Sequence, residues 1–361
     1  MLRDSVGNKV TTDPEILEEA RKFYTKLYST KKPDPVKIEN YLDEIESLKK
    51  LSEIDSQSLE GQITKSECEK ALLKIKGNKS PGLDGLSIEF YKTFWHELGD
   101  LMVESFNEAF QDQLLTNSRN VSILSLIFKK GDPSDIKNYR PISLTNTDYK
   151  LLAHVLANRL HTILHKIISA DQTGYIRKRY IGTNIRKILD TVEYLDKNKQ
   201  SGILLMLDFE KAFDTVKWPF LFKTLERFNF GPQFISWIKL LYKNPSALIK
   251  NNGWFSNKIT INRGIRQGCP VSALLFIIIE EILSTKLKES HYEGITVNLN
   301  DKTKEMKVSQ YADDTCVLLK NETQIELVLK IIDDFGILAG PKVNIKKNRR
   351  SLARAQTAST N

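Results

Sequence analysis

Two adjacent carboxylates, Asp313 and Asp314, stand between Met306-Lys307-Val308-Ser309-Gln310 and Thr315-Cys316-Val317-Leu318-Leu319. The first flank alternates weakly and the second is apolar and β-branched at its core, so both read as short strands. The aspartates therefore fall at the tip of a hairpin. Neighbouring carboxylates repel each other and favour a cation. Magnesium suits them, because it takes oxygen ligands and keeps water and substrate phosphate in its shell. Asp also accepts plain turn geometry, and these two residues taken alone read as a solvated turn.

A second carboxylate site changes the balance. Asp208 follows Gly202-Ile203-Leu204-Leu205-Met206-Leu207, an apolar run that suits a strand buried on both faces. An aspartate ending such a strand is costly unless it is paired or metal-bound. Phe209-Glu210-Lys211-Ala212-Phe213-Asp214 comes next. Two strands that each deliver aspartate at one end could hold two divalent ions, which activate an attacking hydroxyl and steady a leaving phosphate oxygen. The plain alternative is a strand-end aspartate capping the next turn, above all for Asp214.

The elements that must position these groups can be taken in chain order. Thr12-Asp13-Pro14 starts a helix, with Asp13 as cap, whose apolar stripe is Ile16, Ala20, Phe23, Tyr24, Leu27 and Tyr28. Residues 31–35 read as a linker, and 36–60 are charged and weakly patterned. Helices are predicted over 68–76, 88–95 and 98–110. Between the first two, Lys79-Ser80-Pro81-Gly82-Leu83-Asp84-Gly85 is a turn cluster that either meets phosphate or merely connects helices. A strand over 121–128 leads to Lys129-Lys130-Gly131-Asp132-Pro133 and Asn138-Tyr139-Arg140-Pro141-Ile142-Ser143-Leu144. Lys and Arg here suit phosphate, and a solvated basic loop is the bland reading. A long helix spans 149–168. Its His154, His161 and His165 lack a companion Glu or Cys at metal-binding spacing and read as surface or packing residues. Gln172-Thr173-Gly174-Tyr175 and Arg177-Lys178-Arg179-Tyr180 interleave rings and cations, as single-stranded nucleic acid would require; surface solvation competes. Helices follow over 184–195, 218–228 and 234–242, then a hairpin of 246–250 with 258–261 around Asn252-Gly253. A loop over 263–270, a helix from Pro270 to about Lys288, a helix over 325–338 and a short strand over 342–345 complete the chain.

Composition bounds the answer. The chain has 361 residues, 40% of them hydrophobic, enough for a real core and two or three subdomains. A net charge of +9 and a pI near 9.1 suit a polyanionic partner without naming it. Cys68, Cys269 and Cys316 are too few and too scattered for a disulfide frame or zinc cluster, which points to a reducing compartment. No apolar run reaches membrane-span length, since Glu280-Glu281 interrupts Leu274 to Ile279, and the first residues lack an apolar signal region. No short-period repeat is evident.

Leu207 to Asp214, Arg266-Gln267-Gly268-Cys269-Pro270-Val271-Ser272 and Tyr311-Ala312-Asp313-Asp314 together resemble the reverse transcriptases of non-LTR (LINE-type) retrotransposons. The resemblance runs from near Asp13 to about Lys347, and three ordered motifs make it far more specific than any one alone. It implies an α+β, right-hand polymerase fold of fingers and palm. The expected divisions are a helical lead-in (1–60), fingers with part of the palm (61–200), a palm with the catalytic motifs (201–348) and a divergent tail (349–361). The thumb is expected to be missing, along with any Cys-His knuckle or endonuclease region, so that the chain is a fragment or a degenerate gene.

The implied activity is RNA-directed DNA synthesis in two-metal nucleotidyl transfer. Asp208 and Asp313 would bridge two Mg2+ ions, with Mn2+ a possible substitute. Asp314 would support them, and the Phe209 carbonyl would add an oxygen. Lys129 and Arg140 match positions that clamp the nucleotide triphosphate, with Lys130 one place away. Phe213 matches a ring beneath the sugar that excludes a 2′-hydroxyl, which separates this reading from an RNA-dependent RNA polymerase. Gln267 and Gly268 match the loop against the new base pair, and Lys347 matches a general acid for pyrophosphate. The implied partners are an RNA template, a DNA primer and deoxynucleoside triphosphates, with no membrane, inside the cell in cytoplasm or nucleus. The oligomeric state is not implied. An inactive or domesticated nucleic-acid-binding remnant is the rival from another class.

Overall fold

The strand Ile203–Leu207 lies inside a four-stranded sheet whose order is Val308–Tyr311, Asp314–Leu319, Ile203–Leu207, Leu352–Arg354, with every neighbouring pair antiparallel. This computed structural model describes residues 1–4, 6–299, 302–344 and 352–354. A second, five-stranded sheet joins Tyr139–Leu144, Val121–Phe128, Ser246–Asn251 and Trp254–Phe255 in that order, with Ile259–Thr260 also paired to Ser246–Asn251. The architecture is mixed α and β, with helices packed around both sheets.

Alternation decides which side of the aspartate sheet faces the core. Ile203, Leu205 and Leu207 are buried, whereas Met206 is 43% exposed. The expectation of a strand buried on both faces is therefore wrong for Ile203–Leu207. Asp314–Leu319 takes that role, since everything after Asp314 is buried. Val317 and Leu319 join the main core, while Leu204, Cys316 and Leu318 face a satellite cluster with Leu195, Ile295 and Val297. The first flank also begins later than expected. Met306 ends a separate hairpin of Ile295–Leu299 with Lys302–Met306, which sequence periodicity missed.

The helix Pro270–Glu289 is the spine of the main core, touching Thr147–Ile167, Trp218–Arg227, Ile325–Ala339 and the strand Val308–Tyr311. Its residues Val271, Leu274 to Ile279, Ile282 and Leu283 are almost wholly buried, which explains an apolar run that is not membrane-length. No helix among the described residues is long and apolar enough to cross a membrane.

Most predicted helices form, with shifted ends. The first is Asp13–Tyr28, but its cap is Thr12, whose N–H and hydroxyl both donate to Glu15; Asp13 instead accepts from the side chains of Asn251 and Asn252. The weakly patterned 36–60 stretch holds two short helices, Pro35–Asp43 and Glu53–Gln57, started by Asp34 and Ser52. Ile38, Tyr41 and Leu42 carry the first into the main core, and the core residues Leu51 and Leu59 anchor the chain on either side of the second, so packing rather than local propensity holds them. The predicted 246–250 hairpin closes on Trp254–Phe255 directly after Asn252-Gly253, both at positive φ, so Ile259–Thr260 is the strand's next partner and not its hairpin mate.

Candidate active site

Register brings the aspartates together. Leu207 pairs with Thr315 at the end of the ladder, so Asp208 is the next residue outward on one strand and Asp314 the next on the other. Directly opposed residues in an antiparallel pair lie about 4.5–5.5 Å apart at Cα and on one face. That face continues inward through Met206 opposite Cys316 and Leu204 opposite Leu318. Asp313 occupies the two-residue turn that joins Tyr311 to its partner Asp314. Asp208 and Asp313 are half-buried and Asp314 is exposed. At Asp208 the chain also changes sheets. The Asp208 carbonyl accepts from Asn344 N–H at 2.8 Å, and Phe209–Glu210 pairs with Lys342–Val343.

The donor chemistry fits a hard divalent ion: carboxylates, a nearby backbone carbonyl and room for water, as magnesium or manganese requires. Among the described residues no group of three or more His, Cys, Asp or Glu side chains is gathered closely enough to hold a metal by itself. One or two carboxylates with water and phosphate are a usual magnesium environment, so the arrangement suits an ion that arrives with its substrate. The histidines of Thr147–Ile167 take no part. Burial first, and cations such as Lys74 next, hold His154 at about 4, and burial with Arg177 does the same for His161.

The hairpin tip is braced from outside its own sheet. Ala312 is buried at φ +53, a region that non-glycine residues seldom occupy. Gln172 Oε1 accepts the Ala312 N–H at 2.9 Å, and Gln172 Nε2 donates to the Ala312 carbonyl at 3.2 Å. Gly174 lies so close that a Cβ there would sit 2.4 Å from the Ala312 nitrogen. Thr173 N–H donates to Gln310 O, and Gln310 N–H to Asp171 O.

The brace is itself anchored. Ser169 Oγ donates to Glu281, and Lys288 Nζ contacts both Asp171 (2.8 Å) and Ser169 (2.9 Å). Burial pushes the Glu281 carboxyl up to about 7, against the pull of Lys288. Glu280, fully buried and in contact with Gln310 Nε2, is pushed far above the carboxylate range by burial, with the charge of Asp313 adding to it. Arg179 spends its guanidinium on the carbonyls of Ile168, Ser169 and Gln172. It is therefore a structural member of the basic run, and Arg177 and Lys178 are the exposed cations there.

The other predicted residues form a second group. Lys129 and Arg140 flank the turn between Val121–Phe128 and Tyr139–Leu144; Arg140 pairs with Ile127, and Lys129 N–H donates to Asn138 O. Both are exposed. Their charges reach Lys211, whose ammonium is buried against Tyr139 O (2.9 Å) and whose pKa is lowered, first by burial. Tyr175 links the two groups, since Asp313 raises its pKa and Arg140 lowers it, both behind burial. Phe213 is half-buried and stacks on Phe276 at 4.6 Å with a 15° interplanar angle. The Gln267-Gly268 loop docks on the strand that carries Arg140: Ser143 N–H donates to Gln267 O at 2.8 Å, and a Cβ on Gly268 would meet Ser143 O at 3.3 Å. Lys347 lies outside the described residues.

Asp214 is not at the carboxylate tip. It is fully buried, accepting from Tyr28 Oη (3.1 Å) and Gln267 Nε2 (2.8 Å), and burial raises its pKa to about 7. It thus ties the Asp13–Tyr28 helix to the Gln267 loop. Sequence reasoning missed this bridge and the Gln172 brace. The Gln172-Thr173-Gly174 stretch was visible, but its partner is 140 residues away.

The family described as reverse transcriptase (RNA-dependent DNA polymerase) matches residues 127–358. The Xenopus laevis transposon TX1 149 kDa protein is 36% identical over 338 residues, which are 93% of this chain and 25% of that protein. The Pol polyprotein of a type-1 retrotransposable element R2 from Popillia japonica is 29% identical over 62% of this chain and 31% of its own length. The RNA-directed DNA polymerase from mobile element jockey of Drosophila melanogaster is 24% identical over 72% of this chain and 28% of its own length. The chain thus spans about a quarter to a third of the relatives it matches. With three motifs, matched along most of its length, the chain belongs to the reverse transcriptase family, of the non-LTR retrotransposon kind.

Proposed function

We propose that this chain carries the fingers and palm of an RNA-directed DNA polymerase and extends a DNA primer on an RNA template. The observation that supports the reading is the Leu207–Thr315 register, which makes Asp208 and Asp314 the next residues outward on neighbouring strands, with Asp313 in the turn before Asp314. Asp208 and Asp313 would hold two magnesium ions, with Asp314 and the Phe209 carbonyl in support. Those ions, when bound, supply hydroxyl activation and neutralise charge on the leaving phosphate.

The residues of the chain position the substrates. Lys129 and Arg140 hold the triphosphate of a deoxynucleotide. Phe213, steadied by Phe276, lies beneath its sugar, and Gln267 with Gly268 contacts the new base pair. The primer 3′-oxygen then forms its bond to the α-phosphorus as the bond to the β-phosphate breaks, releasing pyrophosphate. No protein nucleophile is involved; positioning and charge stabilisation do the work. Lys347 is the proposed proton donor to the pyrophosphate.

The test is primer extension on poly(rA) with an oligo(dT) primer and magnesium. Asp313→Asn is expected to lose nearly all of the extension that an active wild-type protein supports, while still retaining the primer-template on a filter. Equal loss of retention in the variant would assign Asp313 a structural role and remove the polymerase reading of the tip.

A further inference from the structure

A cavity of about 600 Å³ is lined by Ser29, Lys31, Lys217, Arg263, Ile337 and Lys342 among others. Its size is that of a small-ligand site. Four of those six side chains are cations. Lys217 is lowered by burial first, then by repulsion from Arg263 and Lys342, so the charges sense one another. Among the described residues none of the four makes an ion pair with a carboxylate, although Asp214 lies near enough to act on Arg263.

Part of this charge has an internal use. Lys217 Nζ donates to Ile337 O (2.5 Å) and Arg263 Nε to Leu27 O (2.7 Å), so each serves a helix C-terminus. A helix end carries about half a negative charge, so two such ends offset roughly one of the four cations. Glu210, across the ladder from Lys342, offsets at most one more. A positive excess remains, focused in a concave site, where it is stronger than on a flat surface.

We propose that this cavity is a binding site for a short phosphate chain of the pyrophosphate or tripolyphosphate class, separate from the Lys129 and Arg140 pair. Lys31 and Lys342 are exposed and free of helix-capping duty, so they close on the anion from the rim, while Lys217 and Arg263 form the floor. Lys342 pairs with Glu210 two residues beyond Asp208, which places the cavity beside the segment that would release such a product.

The test is calorimetric titration of the whole chain with sodium tripolyphosphate in EDTA, where no divalent ion can recruit the anion to the aspartates. Saturable binding that weakens with salt is expected. The Lys31→Glu/Lys342→Glu variant should bind about tenfold or more weakly, the scale of one charge-assisted contact, with an unchanged melting temperature. Lys129→Glu/Arg140→Glu should retain binding. Wild-type affinity in the first variant, or no binding by the wild type, overturns the proposal. So does tighter binding at the same cations by an oligothymidylate without terminal phosphates, which reassigns the cavity to a nucleic-acid strand. Because no metal, primer or template is present, failure here is separate from failure of the extension assay.

Discussion

The Gln172 side chain holds the Ala312 peptide from both sides, accepting its N–H at 2.9 Å and donating to its carbonyl at 3.2 Å. An amide is the group that can do both at once; a carboxylate of the same shape can only accept. The clamp holds a buried alanine at positive φ one residue before Asp313. Gln172→Glu should lose the bond to the Ala312 carbonyl, and Gln172→Ala both. Each lost buried bond is expected to destabilise the fold by about 1–3 kcal/mol. Extension should fall more than primer-template binding does. A thermal melt alongside single-turnover extension checks this, and unchanged extension at the permissive temperature would make the brace dispensable.

Asp214 joins Tyr28 and Gln267, so Tyr28→Phe tests whether the N-terminal helix sets the Gln267 loop. The expected outcome is a raised KM for the deoxynucleotide with kcat less affected, at a stability loss of about 1 kcal/mol. Steady-state kinetics over a range of nucleotide concentrations decides it; a fall in kcat alone would show that the loop is set elsewhere.

Asp214 and Glu281 both have folded-state pKa values raised to about 7, chiefly by burial. Between their ordinary values near 4 and about 7, the unfolded chain is ionised while the folded one keeps its protons. The stability these two groups contribute is therefore present at low pH and is lost as pH rises to about 7. Lys211, Arg140, Arg263 and Tyr28 face Asp214, and Lys288, Arg179 and Asp171 face Glu281. Asp214→Asn should flatten the decline across that window. Urea denaturation at a series of pH values measures it, and an identical slope in the variant would mean that Asp214 stays ionised.

Phe213→Ala should raise ribonucleotide use relative to deoxyribonucleotide, because a ring beneath the sugar is lost. It also removes the stack on Phe276, so stability should fall by about 1–3 kcal/mol, less than for a fully buried ring. Competition between the two nucleotides below the melting temperature separates the effects. Unchanged selectivity with lower stability would leave Phe213 as a packing residue only.

Arg177→Ala/Lys178→Ala should weaken nucleic-acid binding and flatten its dependence on log salt, as loss of phosphate contacts does. Arg179→Ala should instead lower the melting temperature, because its guanidinium is engaged by three carbonyls. Binding titrations at several salt concentrations distinguish the two roles.

Local patterns told most where the signal is local. The 3.6-residue period gave the helices Asp13–Tyr28, Thr147–Ile167 and Pro270–Glu289 to within two residues or so at each end. Turn chemistry placed Asp313 at a hairpin tip. What was hidden is what depends on distant partners. The short helices after Asp34 and Ser52 are polar by sequence and held by the core. The exposure of Met206 arises because the satellite cluster on its face takes in Leu204, Cys316 and Leu318 but not Met206, which no period within Ile203–Leu207 can reveal. In sequence Asp214 stays open as a turn cap, because its partners Tyr28 and Gln267 lie 186 and 53 residues away.

The helix Pro270–Glu289 packs against Thr147–Ile167 on one side of residue 200 and against Trp218–Arg227 and Ile325–Ala339 on the other. A chain severed at residue 200 would give two pieces that each bare an apolar stripe made for the other. Neither half is then a folding unit; made together, the two should reassemble as obligate partners, and made apart, each should precipitate.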